Sequence, residues 1–113
     1  MNVRKVLSYA SIAAKAGSVR SGAVQTADSL RPGRAYLLLL SEDCSANTEK
    51  ELIAEAVRSR IPYRKIPVGK EMLGKCVGKP ERAAIVIAEP KLAAAMIEAA
   101  DEKNATAEMP VSE

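Results

Sequence analysis

The stretch of this sequence that most resembles a chemical motif is Gly69-Lys70-Glu71-Met72-Leu73-Gly74-Lys75-Cys76, which spells G-x-x-x-x-G-K. In that pattern a flexible loop cradles phosphates with backbone N–H groups, and a hydroxyl after the lysine holds magnesium. Cys76 has no hydroxyl. Lys-Glu-Met-Leu in the middle favours a helical turn with Met72 and Leu73 packing inward, so the stretch reads as a helix and not as a nucleotide site. Glu42 and Asp43 stand where a central strand is expected to end, a position at which α/β proteins often bind ligands. Without a third carboxylate or a metal-ligand spacing beside them, they read as a charge-favourable cap before the next helix. Cys44 and Cys76 are far apart, and the chain has no histidine. His-based triads, Cys–His nucleophile pairs and the common zinc patterns are thereby removed together. Two distant thiols read as reduced core or near-core side chains of a cytoplasmic protein. No catalytic residue, metal site or cofactor is expected.

What remains is electrostatic. The formal net charge is +3 over 113 residues, unevenly spread: residues 101–113 sum to −3, which leaves +6 on the body. The body is expected to form one domain over residues 1–100, and residues 101–113 a disordered acidic tail. A basic body of this size favours a polyanionic partner. Tyr9, Tyr36 and Tyr63 are the only aromatic side chains, so a platform that stacks splayed single-stranded bases is not expected, whereas recognition through phosphates and shape is open. Between Arg58 and Arg82 lie eight basic residues against Glu71 and Glu81, a local +6 that suffices for several phosphate contacts if they share a face.

These residues need a frame, and hydropathy supplies one. Val3, Val6, Leu7, Ala10, Ala13 and Ala14 recur at helical spacing, which predicts an amphipathic helix from about Val3 to Ala16, ending at Gly17, and not a signal peptide. Val19 to Ser21 has room for a very short strand, and a helix from about Ala23 to Leu30 is stopped by Pro32-Gly33. The uninterrupted apolar run at Tyr36–Leu40 predicts a buried central strand. Ser45 or Asn47 can cap a helix to about Arg60, with Leu52, Ile53, Ala56 and Val57 as its buried stripe. Tyr63 to Pro67 reads as an edge strand, Lys70 to Cys76 as a short helix, Ala83 to Glu89 as a second apolar strand, and Lys91 to Ala100 as a last helix opened by Pro90. Alternating helices and strands predict an α/β sandwich with helices on both faces of a small sheet. The turn at Ser21-Gly22 and the first turn of the second helix are where a large anionic partner is expected.

Lys15-Ala16-Gly17 through Gly22, Ala35 to Asp43, Ile61-Pro62-Tyr63, Leu73 to Gly78 and the closing AAIVIAE together resemble the ribosomal protein family called L-seven-Ae and L-thirty-e, and within it the small bacterial YlxQ-like members. The resemblance spans about residues 3–97. It implies a three-layer α-β-α sandwich around a small mixed four-stranded sheet, and binding to structured RNA, ribosomal RNA among the candidates, as part of a ribonucleoprotein. It also implies a contact surface at Ser21–Asp28 and Gly78–Arg82. On that basis the proposed RNA contacts are Arg20, Ser21, Gly22 and Gln25, with Lys79 and Arg82 from the loop and Lys75 as flanking charge. Many members read a kink-turn through Asn, Glu and Lys on the second helix, where this chain has Val24, Gln25 and Asp28. Only Gln25 keeps hydrogen-bonding capacity toward a base edge, and Asp28 puts an anion where a cation is expected. The expectation is therefore a non-enzymatic, cytoplasmic, monomeric, ribosome-associated RNA-binding protein with no membrane partner. The rival expectation is a protein-interaction module that kept the fold and lost RNA recognition.

Overall fold

In a computed structural model, residues 1–102 are described, apart from the side chains of Ala23 and Val24; the expected tail beyond Glu102 lies outside them. The elements follow in the order α1 (Val3–Lys15), β1 (Val19–Ser21), α2 (Ala23–Ser29), β2 (Leu37–Leu40), α3 (Ala46–Arg58), β3 (Tyr63–Lys65), α4 (Lys70–Cys76), β4 (Ala84–Ile87) and α5 (Pro90–Ala100). The strands form one mixed sheet in the order β1-β4-β2-β3. β4 runs antiparallel to both β1 and β2, while β2 and β3 are parallel. The apolar strands are the central pair, as their composition demands, and β3 lies at an edge with Pro62 and Pro67 beyond its ends.

Period-two alternation explains why neither central strand carries a polar residue. Leu37, Leu39, Ile85 and Ile87 face one core with Val6, Ala10 and Ala13 of α1, Leu73 of α4 and Met96 of α5. Leu38, Leu40, Ala84 and Val86 face the other, with Leu30 after α2 and Ala56 of α3. The result is the three-layer α-β-α sandwich.

Local signals set the helix ends. Asn2 caps α1, its side chain accepting from Lys5 N at 3.1 Å, and Gly17 follows in the left-handed region at φ 74°. Two apolar side chains expected inside are outside. Val57 is 60% exposed and Met72 is 49% exposed. The α3 stripe ends at the fully buried Ala56, and Val57 falls in the helix's last turn. In the two-turn α4, Leu73 and Gly74 take the inward positions, which leaves Met72 one residue off that face.

Asp101 and Glu102, the first two residues assigned by composition to the tail, are held on the body. Asp101 forms a bidentate pair with Arg64, Nε and Nη2 each at 2.9 Å from a carboxylate oxygen. Glu102 accepts from Lys5 Nζ at 3.2 Å, and its carbonyl accepts from the chain's amino group at 2.7 Å. Among the described residues no helix is long and apolar enough to cross a membrane.

Candidate functional site

The G-x-x-x-x-G-K stretch is the helix α4, and both of its glycines have a packing reason. Gly69 precedes the helix without a side chain to cap it. The missing acceptor comes from Asp43, whose Oδ1 accepts from Lys70 N at 2.9 Å and from the Ser41 hydroxyl at 2.8 Å. A Cβ on Gly69 would lie 3.2 Å from the same carboxylate. Asp43 therefore caps α4, 27 residues on, and not the helix directly after it, α3, which is capped by Ser45 accepting from Thr48 N at 3.3 Å. A helix start accepts whichever acceptor the fold brings near, and the parallel β2–β3 pairing brings Ser41–Asp43 to α4.

The Ser41 hydroxyl, together with the Lys70 amide, holds the Asp43 carboxyl below its ordinary value of 3.8, and the Arg64 guanidinium does the same for Asp101. A carboxylate with a depressed folded-state pKa stabilises the fold at pH values above its unfolded pKa, and that contribution is lost as pH falls through the folded one. Urea unfolding followed from neutral pH into the acid range is expected to show stability falling below about pH 4. Asp43→Ala is expected to be less stable than the wild type at neutral pH and to converge toward it in acid. Burial pushes the thiols of Cys44 and Cys76 up, which disfavours the nucleophilic thiolate.

Gly74 is buried at a crossing of backbones. The turn after α4 passes so close that a Cβ on Gly74 would sit 1.5 Å from the Pro80 carbonyl oxygen and 3.0 Å from Arg82 N. Lys79 N donates to Gly74 O at 2.9 Å, and Arg82 N donates to Lys70 O at 3.0 Å, so the 78–82 segment is laid against α4 by main-chain bonds. That path delivers Arg82 to β1. Its Nε donates to Ser21 Oγ at 3.0 Å and its Nη1 to Glu81 O at 2.8 Å. The antiparallel register, with Ser21 opposite Ile85, brings the end of β1 beside the start of β4. Gly22 then turns the chain into α2 at φ 96°, a conformation that glycine adopts without a side-chain penalty.

Two hollows flank this junction. One, of about 500 Å³, lies between α2, α3 and the start of β4, and is lined by Gly22, Thr26, Glu51, Glu55 and Arg82 among others. The other, of about 630 Å³, lies along β1 and α2, and is lined by Arg20, Gln25, Asp28, Ser29 and Arg34 among others. The Arg20 guanidinium donates to Gly17 O at 2.8 Å and Val19 O at 3.2 Å, which turns it toward the second hollow's side of the chain and not toward Arg82. The expected contacts thus fall into three groups: Ser21, Gly22 and Arg82 at the junction, Arg20 and Gln25 along the second hollow, and Lys75 and Lys79 on α4 and its turn.

The basic run from Arg58 to Arg82 does not act as one patch. Arg58 pairs with Glu55 at 2.6 Å, Arg64 with Asp101 at 2.9 Å, Lys65 with Glu49 at 2.9 Å and Lys70 with Glu81 at 3.6 Å. At the α4 end of that run, Lys75, Lys79 and Arg82 have no acidic partner among the described residues. The i,i+4 spacing of Glu51 and Glu55 puts them on one face of α3, and that face borders the α2–α3 hollow, which only the packing of the two helices reveals. Arg34, in the turn before β2, was not singled out at all.

The sandwich finds its counterpart among known proteins. The chain belongs to the Ribosomal protein L7Ae/L30e/S12e/Gadd45 family, whose model matches residues 4–97. A relative in Bacillus subtilis (strain 168), the RNA-binding protein YlxQ, is 31% identical over 90 residues, covering 80% of this chain and 89% of that one. A protein with unknown function from Bacillus halodurans C has a solved structure similar to this one, with a TM-score of 0.81 and 28% identity, over 87% of this chain and 98% of that one. The Giardia lamblia 15.5kD RNA binding protein matches with a TM-score of 0.71 over 91% of this chain and 88% of its own; at 19% identity the likeness concerns the fold.

Proposed function

We propose that this protein is a non-enzymatic RNA-binding protein of the cytoplasm, monomeric, that engages structured RNA, ribosomal RNA among the candidates, across the junction of β1, α2 and the 78–82 segment. The observation that carries the proposal is the placement of Arg82, anchored on Ser21 through one nitrogen at the mouth of a hollow large enough for a nucleotide base. Family membership and the likeness to the RNA-binding protein of Bacillus subtilis support it. In this scheme Arg20, Lys75, Lys79 and Arg82 attract phosphates, Gly22 allows close approach, and Gln25 faces a base edge. The two-turn α2 has too short an axis for its dipole to dominate, so the side chains decide.

Binding should follow counterion release. With four phosphate-facing cations, filter binding to structured RNA at several salt concentrations is expected to give a log–log slope of about −3 to −4. Affinity equal to that for an arbitrary duplex, or a flat salt response, would count against the proposal. Asp28 lines the second hollow between residues that favour phosphate, which argues that this surface does not read a kink-turn in the manner of Asn, Glu and Lys. Replacing Val24, Gln25 and Asp28 by Asn, Glu and Lys tests the point. Kink-turn affinity that rises about tenfold or more only in the substituted protein would mean the native surface serves another RNA. Absence of RNA binding by the native chain would favour the rival, a protein-interaction module on the same fold.

A further inference from the structure

At the opposite end of the sheet from Arg82 lies a third hollow of about 490 Å³, walled by the turn before β2, the chain entering β3 and the first two turns of α5. Its walls are apolar: Tyr36, Pro62, Pro90, Ala93 and Ile97 contribute to them. The Tyr36 hydroxyl donates to Gly33 O at 3.2 Å and the Ser59 hydroxyl to Leu30 O at 3.0 Å, so both polar groups are already satisfied. Among the described residues no carboxylate lines the hollow, and one charged side chain does, that of Arg60. Its guanidinium has no partner among the described residues, whereas four neighbouring cations in sequence have acidic ones.

Arg60 is also the residue that local stability would replace. It follows the C-cap Ser59 of α3 at φ 60°, the sole non-glycine residue with positive φ among those described. Ile61 N donates to Ala56 O at 2.8 Å and Arg60 N to Val57 O at 3.1 Å, the bond pair of a helix end that ordinarily holds glycine. Arginine there strains the backbone, and strain retained beside a hollow points to a use for the side chain.

We infer that this groove docks a short extended segment of a protein partner, one that carries an Asp or Glu for Arg60 among small and apolar residues for the Pro, Ala and Ile walls. Charge complementarity selects the acid, because the exposed Arg60 guanidinium on the rim of an apolar groove, with no counterion among the described residues, pairs best with a carboxylate in a fork. The same count disfavours nucleic acid, which needs several cations and gains little from proline and alanine walls. The groove is distinct from the proposed RNA surface, so both can be occupied at once.

The test selects short random displayed peptides on the full chain and measures their affinity for wild type, Arg60→Gly, Ala94→Glu and Arg82→Ala. Glycine suits the backbone at position 60, so Arg60→Gly is expected to melt higher than wild type, which shows that any lost binding is not lost folding. Ala94 is an exposed residue of the groove wall, and a glutamate there places a like charge against the incoming acid. Enriched peptides are expected to carry an acid flanked by small apolar residues, and to bind Arg60→Gly and Ala94→Glu about tenfold or more weakly while binding Arg82→Ala unchanged. Enrichment of acid-free peptides, or affinity indifferent to both groove variants, would overturn the inference. So would RNA binding or self-association, read by filter binding and sedimentation, that is lost in Ala94→Glu, since the groove would then serve nucleic acid or a second copy. RNA binding unaffected by either groove variant leaves the RNA proposal standing whatever the peptides show.

Discussion

Gly74→Ala is expected to destabilise the protein by about 3 kcal/mol or more, at the upper end of what overpacking costs and a large share of the roughly 5–15 kcal/mol that a small domain has. The sign runs against propensity: inside an exposed helix the same change would stabilise by about 1 kcal/mol. It reverses here because the added methyl would overlap the Pro80 carbonyl oxygen at 1.5 Å, and Pro80 is main chain that cannot swing aside as a side chain would. Either α4 or the 78–82 segment must move. Because Lys79 and Arg82 hang on that segment through bonds to Gly74 O and Lys70 O, displacement would shift both cations and carry Arg82 away from Ser21. Urea unfolding should show the lost stability, and the same protein, where still folded, should bind structured RNA more weakly. A variant as stable as the wild type would mean that the crossing is looser than the geometry states.

Arg82→Ala is expected to weaken binding to structured RNA by about 10- to 100-fold, in the range of a lost charge-assisted hydrogen bond of about 1.5–3 kcal/mol, and to flatten the salt slope by about one. Stability should change little, because the guanidinium is partly exposed and the Ser21 hydroxyl it releases can be met by water. Arg82→Lys should recover the salt slope but only part of the affinity. A lysine is a point charge, whereas arginine can bind Ser21 with Nε and keep a second nitrogen for phosphate. Filter binding across a salt series, with unfolding curves as control, separates these outcomes. Unchanged affinity in Arg82→Ala would remove the central residue of the proposed interface.

Periodicity made the elements readable because burial on one face or two is written into residue order. The Leu37–Leu40 and Ala84–Ile87 strands are apolar at every position because they are covered from both sides, and the helices carry one stripe each because they are covered from one. Errors fell at helix ends, where Val57 and Met72 fit the helical pattern but the helix has run past the sheet or is too short to turn a second apolar residue inward. The partners of charged side chains were illegible. Nothing in the chain order tells that Asp43 would reach Lys70 N, that Arg64 would take Asp101, or that Glu51 and Glu55 would border a hollow opposite Arg82.

By itself, then, the sequence determined the class of the fold and the central position of its two apolar strands, because solvent exclusion acts on each residue according to its own type and local spacing. It determined equally that Gly22 turns the chain and that Asp28 falls within α2. Tertiary structure alone decided which cations remain available and which are cancelled by acids. It also decided that Gly74 exists to let a loop through, and that Arg60 stands at an apolar groove with no acidic partner among the described residues. Those outcomes depend on distances of a few ångströms between residues remote in sequence, and only the closed fold sets such distances.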